Sequence, residues 1–276
     1  MSRWLAVIAV QIVIATPAFA QPGGSWPFKD TGKVSFCTEL GDPPSAYLDA
    51  DGRTPLGMEV DFMQAIAKDL KAQADIKNFK FASIFAALDS GQCDAVMSQT
   101  SKSPERLQKY IFIDYRAQSS GLLVKKGNPQ NLRTFEDLSG KRAAVLLGSA
   151  NERRLKAANE GLAKAGKPEM TINSYPTNAI AFQELNLGRV DAFVSGSITL
   201  AYFMNTGAGG GSFEIGGLPV APNTLGIMVP NTMPEKAKAI QAAWDNVVKV
   251  GQAKAIIEKW KQADGTTLCG PGFKCD

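Results

Sequence analysis

The sequence predicts an α/β protein made of two similar units, and two patterns carry this prediction. Short apolar segments alternate with longer amphipathic segments, the order of strands and helices that produces parallel sheets covered by helices. The alternation runs once before about residue 120 and starts again near residue 138. Two sheets, each with its own helices, therefore account for most of the chain.

The first unit is expected to contain three strands and two helices. Between Val60 and Leu70 the apolar residues recur every three or four positions, as on the buried face of an amphipathic helix. Gly91 provides a stop for the second helix. The predicted strands span 33–38, 79–81 and 93–98, and the predicted helices span 60–70 and 84–90.

The second unit repeats the alternation and is followed by a return strand and two terminal helices. Gly148 precedes a helix rich in charged residues and alanine, and Gly188 ends the next helix. The predicted strands span 143–147, 171–175, 190–194 and 225–229; the predicted helices begin near 151 and span 178–187, 234–249 and 253–262.

The first 20 residues have the features of a secretory signal peptide. An apolar run follows a single basic residue, Arg3, and the small-residue pattern Ala18-Phe19-Ala20 precedes Gln21. The run is too short for an N-terminal membrane anchor and lacks the flanking charges of one. We therefore expect cleavage after Ala20 and export to the periplasm.

Charge and composition exclude several classes of function. Thirty Lys and Arg residues stand against 26 Asp and Glu, and the basic residues are scattered, so no nucleic-acid partner is expected. The chain has no histidine, which excludes Ser-His-Asp and Cys-His catalysis and His-ligated metals. We expect neither a metal site nor a cofactor.

Four cysteines in an exported chain favour disulfides. Cys269 and Cys275 bracket a short segment of the C-terminal tail and are predicted to pair. Cys37 and Cys93 lie in neighbouring predicted strands, where they are either bridged or two small buried residues. The spacings do not match a structural zinc site.

The segment from Ser98 to Arg106 has the features of a carboxylate-binding turn. A buried strand ends in hydroxyl and amide residues, and Pro104 with Ser103 before it indicates the start of a helix. Arg106 then lies in the first helical turn, where the helix dipole disfavours a cation. A guanidinium at this position makes sense if it binds an anion, since its two parallel N–H groups match a carboxylate.

Seven segments of this chain, in the same order, resemble the family 3 extracellular solute-binding proteins, the periplasmic receptors of polar amino acid ABC importers. Together they extend over nearly all of the chain after the signal peptide. They are GMEVDFMQAIAK at 57–68, AALDSGQCD at 86–94, SPER at 103–106, SGLLVKKG at 120–127, DLSGK at 137–141, GRVDA at 188–192 and IEKW at 257–260.

The resemblance implies a two-lobed periplasmic-binding-protein fold of type II, with two parallel or mixed sheets joined by a two-stranded hinge. Lobe 1 would comprise residues 21–120 plus 220–276, and lobe 2 residues 125–215. The crossovers would lie near 120–124 and 216–226, with the ligand between the lobes. The family also implies a membrane ABC permease as partner and a monomeric receptor.

The resemblance also implies a set of ligand-binding residues. Arg106 would clamp the ligand α-carboxylate with help from Ser101, while Ser149 and Ala150 would offer N–H groups at a helix start. Phe81 is either an aromatic wall against the ligand or a core residue, and Glu39 either faces the ligand or caps its own turn. The complete set is Glu39, Asp42, Tyr47, Phe81, Ser98, Gln99, Ser101, Arg106, Leu147, Ser149, Ala150, Ser195 and Gly196.

Two positions depart from the family pattern. Asp42 falls where many members place a second aromatic residue over the ligand, a place that Tyr47 could take instead, and the second departure is at position 196. Where amino acid receptors usually carry an Asp that binds the ligand ammonium, this chain has Gly196. Because a buried ammonium without a counter-charge is costly, a standard α-amino acid should then bind weakly. Either Glu39 or Asp42 supplies the negative charge, or the ligand is an N-substituted amino acid, an opine-like conjugate or another small organic acid.

The sequence therefore predicts a non-enzymatic receptor that captures a small carboxylate-bearing solute for ABC import. One alternative is an accessory periplasmic protein of a quinoprotein dehydrogenase system, in which the fold serves no transport. Another is an enzyme like the cyclohexadienyl dehydratases, which share the fold and keep the arginine. A dehydratase needs a cleft acid with a raised pKa; Glu39 is the candidate, since Glu184 falls in the middle of a predicted helix.

Overall fold

A computed structural model describes residues 26–206, 211–262 and 267–271. The twelve strands within these ranges are β1 (Lys33–Thr38), β2 (Gly41–Asp42), β3 (Ala46–Leu48), β4 (Pro55–Leu56), β5 (Gln73–Asn78), β6 (Ala95–Val96), β7 (Tyr110–Lys125), β8 (Arg142–Leu146), β9 (Thr171–Tyr175), β10 (Ala192–Gly196), β11 (Phe213–Pro230) and β12 (Thr267–Leu268). The eight α-helices are α1 (Met58–Asp69), α2 (Ile84–Asp89), α3 (Pro104–Lys109), α4 (Ala150–Lys164), α5 (Asn178–Asn186), α6 (Ser197–Asn205), α7 (Pro234–Lys249) and α8 (Gln252–Lys259).

Eight strands form one hydrogen-bonded sheet in the order β5-β1-β6-β11-β7-β10-β8-β9, and β12 pairs with β7. The pairs β1–β5, β1–β6, β8–β9 and β8–β10 are parallel, as the strand–helix alternation predicts. The pairs made by β7 and β11 are antiparallel. A second sheet of three short antiparallel strands, β2-β3-β4, lies apart from the first.

The long strands β7 and β11 connect the two halves of the molecule. They pair with each other from Phe213 opposite Lys125 to Pro230 opposite Tyr110, with several irregularities near the middle. One end of this ladder continues into β6 and β1, and the other end continues into β10 and β8. The two predicted sheets are thus joined through shared strands, and the expected crossovers at 120–124 and 216–226 fall within them.

Two apolar regions lie on either side of this junction. The first surrounds Trp244, which is fully buried and packs edge-on against Phe62 at 5.2 Å between ring centroids. The second comprises clusters around Leu155 and around Phe193, under α4, α5 and α6. We call the part around Trp244 lobe 1 and the part around Leu155 and Phe193 lobe 2.

Several sequence-based bounds differ from the structure for local reasons. The strand expected at 79–81 lies earlier, at β5, and Phe81 begins a short 3-10 helix instead. The strand expected at 93–98 is reduced to Ala95–Val96. Helix α6 follows directly on β10 and was not expected, because its apolar residues surround it rather than forming a stripe.

Cys37 and Cys93 are bonded, with 5.7 Å between their Cα atoms, which settles the pairing that the sequence left open. The predicted Cys269–Cys275 bond stays a prediction, because Cys275 lies outside the described residues. The signal peptide and its cleavage site also lie outside the described residues and stay predictions. In the described part of the chain, no helix combines the length and the apolar character needed to cross a membrane.

Candidate functional site

A polar cavity lies between the two lobes, where β7 and β11 pass from one to the other. Eleven of the thirteen residues predicted to bind a ligand line it: Glu39, Asp42, Phe81, Ser98, Gln99, Ser101, Arg106, Ser149, Ala150, Ser195 and Gly196. Phe81 is buried and also packs edge-on against Phe85, so it serves both the core and the cavity wall. Residues at or just after the carboxyl ends of β1, β6, β8 and β10 meet here, as expected at the ends of parallel strands.

Two predicted residues, Tyr47 and Leu147, do not line the cavity. Tyr47 packs edge-on against Trp260, with 6.1 Å between ring centroids. Leu147 is 42% exposed, and its neighbour Leu146 faces the cavity instead. Successive side chains of an extended segment point to opposite sides, so an alignment shifted by one residue selects the wrong face.

Arg106 forms the cationic end of the cavity. Ser103 caps α3, accepting a hydrogen bond from the Arg106 backbone N–H at 3.4 Å, as predicted for this turn. The Arg106 guanidinium donates to the Ser101 carbonyl oxygen at 2.8 Å and lies over the Phe85 ring, 4.5 Å from its centroid. Burial, together with the nearby Arg153, lowers the pKa of Arg106 to about 10.

No acidic side chain of the described residues forms an ion pair with this buried guanidinium. A buried charge is costly unless it is paired, so this guanidinium is suited to bind an anion. The N-terminus of α4 lies on the opposite wall, where Ser149 caps the helix by accepting from the Glu152 N–H at 3.1 Å. The positive end of a 15-residue helix complements the same anion.

Glu39 and Asp42 form the acidic end of the cavity. Burial, then the neighbouring Asp42, raises the pKa of Glu39 to about 8. Burial is also the main cause that raises the pKa of Asp42 to about 7; hydrogen bonds from Thr199 and Asn178 oppose it. Gly41 leaves room for the Glu39 carboxylate, because a Cβ atom at Gly41 would lie 2.2 Å from Glu39 Oε1.

A chain of hydrogen bonds connects the acidic end to the strands between the lobes. Gln118 Nε2 on β7 donates to Gln99 Oε1 at 2.8 Å, and Gln99 Nε2 donates to Asp42 Oδ2. Asp42 Oδ1 accepts from the Thr199 hydroxyl of α6 at 3.0 Å. Asp42 lies on β2 and Thr199 on α6, so this chain connects elements that are far apart in the sequence across the cavity.

A buried ion pair lies beneath the acidic end. Arg116 on β7 and Glu59 on α1 are both fully buried and are joined by a bond of 3.1 Å. Glu59 also accepts from the Tyr115 hydroxyl and, at 3.3 Å, from the backbone N–H of Gln99. Gln99 has a left-handed backbone conformation, with φ of 47°, which the bond to Glu59 helps to hold.

Several residues that line the cavity were not predicted. Arg154 lies one helical turn after Ala150, and this spacing of four could have indicated it. Its guanidinium donates to Asn151 at 2.9 Å and faces Asn223, whose oxygen accepts at 2.7 Å in the orientation that satisfies both groups. A second signal in the sequence is a polar residue within a long strand, such as Gln118 in β7 or Asn223 in β11. The unpredicted lining residues are Gln118, Ser120, Leu146, Asn151, Arg154, Asn178, Val194, Thr199, Asn223 and Leu225.

The chemistry of this cavity is binding of an ion with separated charges. A guanidinium and a helix N-terminus face one end, and two titratable carboxyl groups face the other. Among the described residues, no group of three or more His, Cys, Asp or Glu side chains could hold a metal ion. The arrangement matches a zwitterion that carries a carboxylate and an amine.

Comparisons with known proteins agree with this geometry. The family model for bacterial extracellular solute-binding proteins, family 3, matches residues 34–263. The L-cystine-binding protein TcyJ of Escherichia coli strain K12 is 29% identical over 265 residues, covering 95% of this chain and 96% of TcyJ.

Two solved structures are similar over most of the chain. An ancestral arginine-binding protein bound to arginine has 32% sequence identity and a TM-score of 0.71, covering 83% of this chain and 98% of that protein. The ancestral amino acid-binding protein AncCDT-1, described as a precursor of cyclohexadienyl dehydratase, has 28% identity and a TM-score of 0.73, with coverage of 83% and 95%.

Proposed function

Because this chain belongs to the bacterial extracellular solute-binding proteins of family 3, we propose that it captures an amino acid zwitterion between its lobes for ABC import. Its two-lobed α/β fold is that of the type II periplasmic binding proteins. The relatives named for their ligands bind cystine or arginine. The ligand of this chain is proposed to share their α-carboxylate and α-amino groups.

The observation that carries this proposal is the buried guanidinium of Arg106, which forms no ion pair with an acidic side chain among the described residues and has only a longer-range interaction with Glu105. A ligand carboxylate would complete its ion pair and would also meet the N-terminus of α4 across the cleft. Ligand binding would then hold the two lobes together, because each contributes to the same anion. The Asp42–Thr199 bond would close the other side.

The test is the Arg106→Ala variant, measured by isothermal titration calorimetry. The mature protein is first screened by thermal shift against the 20 L-amino acids and L-cystine, since a ligand that binds the folded state raises the melting temperature. For the tightest ligand, Arg106→Ala should weaken binding by at least about thirtyfold, the cost of leaving a charged partner unpaired. The control is Arg189→Ala, an exposed arginine that pairs with Glu184.

Two outcomes would contradict the proposal. One is an unchanged ligand affinity in Arg106→Ala, which would show that Arg106 does not bind the ligand carboxylate. The other is a wild-type protein that binds no member of the amino acid panel. The presence of Arg106 in the cavity favours transport over the accessory role in a quinoprotein dehydrogenase system, for which a cavity without this clamp would be expected.

One observation favours a second candidate, an enzyme like cyclohexadienyl dehydratase. The pKa of Glu39 is raised to about 8 by burial and by Asp42, so this carboxyl group holds a proton at neutral pH and could protonate a leaving hydroxyl. Glu184, the other acid considered, pairs with Arg189 at 2.9 Å and is not among the cavity residues. Turnover of prephenate or arogenate by the purified protein would establish the enzyme; we expect none.

The remaining expectations follow from the same assignment. We propose that lobe 1 comprises residues 21–120 plus 220–276 and lobe 2 residues 125–215, that the signal peptide is removed after Ala20, and that the mature protein is a periplasmic monomer serving a membrane permease. Mass spectrometry of the exported protein and light scattering test the cleavage site and the monomer.

A further inference from the structure

Gln118 lines the cavity, and its side chain carries a buried hydrogen-bond acceptor without a partner among the described residues. Gln118 is 7% exposed and lines the cavity between the lobes. Its amide nitrogen is used, donating to Gln99 Oε1 at 2.8 Å. Its Oε1 atom is buried and has no hydrogen-bond partner among the described residues. Buried polar atoms are normally paired, so this oxygen is one that a bound molecule would satisfy.

The ionised form of Asp42 favours one orientation of this amide. A carboxylate oxygen can only accept, so Asp42 attracts the amide nitrogen of Gln99, which donates to it. Gln99 Oε1 is thereby turned towards Gln118 and takes its amide nitrogen. Gln118 Oε1 is then directed away from Gln99. The negative charge of Asp42 polarises both amides in the direction that strengthens this acceptor.

Gly196 makes room for the Gln118 amide. A Cβ atom at Gly196 would lie 2.4 Å from Gln118 Nε2 and 2.7 Å from Gln118 Oε1. A side chain at this position would require the Gln118 amide to shift from where it now lies. The absence of an Asp at position 196 and the placement of Gln118 are therefore two parts of one arrangement.

We propose that Gln118 is a ligand-binding residue that determines specificity, its Oε1 accepting an N–H from a free, protonated α-amino group of the ligand. This inference rests on the proposed function and assigns the amine subsite within it. Asp42 supplies the compensating charge through Gln99, and Glu39 adds a second carboxyl group at the same end. The substrate class is an amino acid with an unsubstituted amine, because an N-acyl group would carry no charge for Asp42 to balance.

The test compares each amino acid with its deaminated counterpart. The probes are the tightest-binding member of the 20 L-amino acids and L-cystine, and the carboxylic acid that lacks its amino group. Affinities are measured for the wild-type protein, Gln118→Leu and Gln118→Met, with Gln64→Leu as the control on an exposed face of α1. Leu and Met keep the volume of the side chain and remove the acceptor.

We expect the wild-type protein to prefer the amino acid over the deaminated acid by at least about a hundredfold. In Gln118→Leu and Gln118→Met this preference should fall by at least about tenfold, the loss of one hydrogen bond to a charged group. The affinity for the deaminated acid should change by less than about threefold. Gln64→Leu should behave as the wild type.

Two results would overturn the inference: a preference retained in both Gln118 variants, or N-acetylated ligand binding to the wild type as tightly as the free amino acid. Either result leaves the Arg106 clamp untouched. A wild-type protein that binds no amino acid would instead contradict the proposed function itself. Because Leu and Met differ in shape, failure of one variant to fold leaves the other as the readout.

Discussion

The two ends of the cavity are built in different ways. The Arg106 end relies on short-range features: a capped helix start in lobe 1 and another in lobe 2, each complete within a few residues. The acidic end joins side chains from four separate elements, Asp42, Gln99, Gln118 and Thr199, through bonds between residues up to 157 positions apart. The first can be recognised in a sequence, and the second requires the fold.

The ends also differ in how their charges respond to solution conditions. Arg106 remains charged over the physiological range, even with its pKa lowered to about 10 by burial and by Arg153. Glu39 and Asp42, with pKa values raised to about 8 and about 7, change charge close to neutrality. The charge at the Arg106 end is therefore constant near neutral pH, whereas the charge at the acidic end, which would face the ligand amine, changes with pH.

The largest effect should come from breaking the ion pair beneath the acidic end. Arg116→Met leaves Glu59 buried without a counter-charge and should lower the free energy of unfolding by about 3–5 kcal/mol. Urea denaturation measures this loss. The double variant Glu59→Leu/Arg116→Met should recover much of the stability, because no unpaired charge remains. A single variant as stable as the wild type would show that this pair does not support the site.

Removing the charge of Asp42 from the acidic end should weaken ligand binding without changing the shape of the cavity. Asp42→Asn should lower affinity for the amino acid by about tenfold to a hundredfold, and affinity for the deaminated acid much less. Calorimetry with both ligands distinguishes a specific loss from a general one. Equal losses for the two ligands would mean that Asp42 holds the lobes together through Thr199 rather than balancing an amine. Thr199→Val provides the matched control for that contact.

A smaller effect is expected at the Arg106 end, where the cap of α3 positions Arg106. Ser103→Ala should lower the free energy of unfolding by about 1 kcal/mol. It should also lower the affinities for the amino acid and for the deaminated acid by the same factor. The matched control is Ser83→Ala, since Ser83 precedes α2 without making a side-chain cap bond. A change in the preference between amino acid and deaminated acid would contradict the separation of the two ends.

The smallest effect is the pH dependence of binding. In the empty cavity, Glu39 and Asp42 are partly protonated near pH 7, and a ligand ammonium favours their ionised forms. Affinity should therefore rise severalfold from about pH 6 to about pH 8, with release of protons, and level off above that. Calorimetry in buffers of different ionisation enthalpy measures the released protons. Asp42→Asn should reduce this pH dependence.

The stability of the empty protein should change in the opposite direction. Glu39 has an ordinary pKa of 4.5 and Asp42 of 3.8, and both values are raised on folding. Between these ordinary values and about pH 8, the folded state retains protons that the unfolded chain has lost, so stability falls as pH rises. Denaturant unfolding at several pH values gives the slope. Stability that rises over this window would contradict the pKa shifts.

Much of the fold follows from local patterns in the sequence. The predicted helix at 234–249 agrees with α7 at both ends, because Pro234 starts it and its apolar residues keep a regular stripe. Strand β5 was placed too late, since QADIKN is a polar edge strand and the apolar alternation of Phe79 and Phe81 follows it. The β2-β3-β4 sheet was not predicted, because strands of two or three residues leave no period to recognise.

The same reasoning explains what could be predicted of the site. Ser103, Arg106, Ser149 and Ala150 belong to helix starts with sequence signals of their own. Gln118 and Asn223 face each other only because β7 pairs with β11, a contact between residues far apart in the chain. The departure at Gly196 was visible in the sequence, but its structural counterpart, the Gln118 amide, was not.

The Cys37–Cys93 bond has a consequence for when this receptor becomes functional. It links β1, which leads into Glu39, to the segment that leads through β6 to Ser98 and Gln99. Disulfides form and persist in oxidising compartments and are rare in the cytosol, so we expect this link between two walls of the cavity to form in the periplasm. Before oxidation, the chain would lack this covalent link between the segments that carry its binding residues.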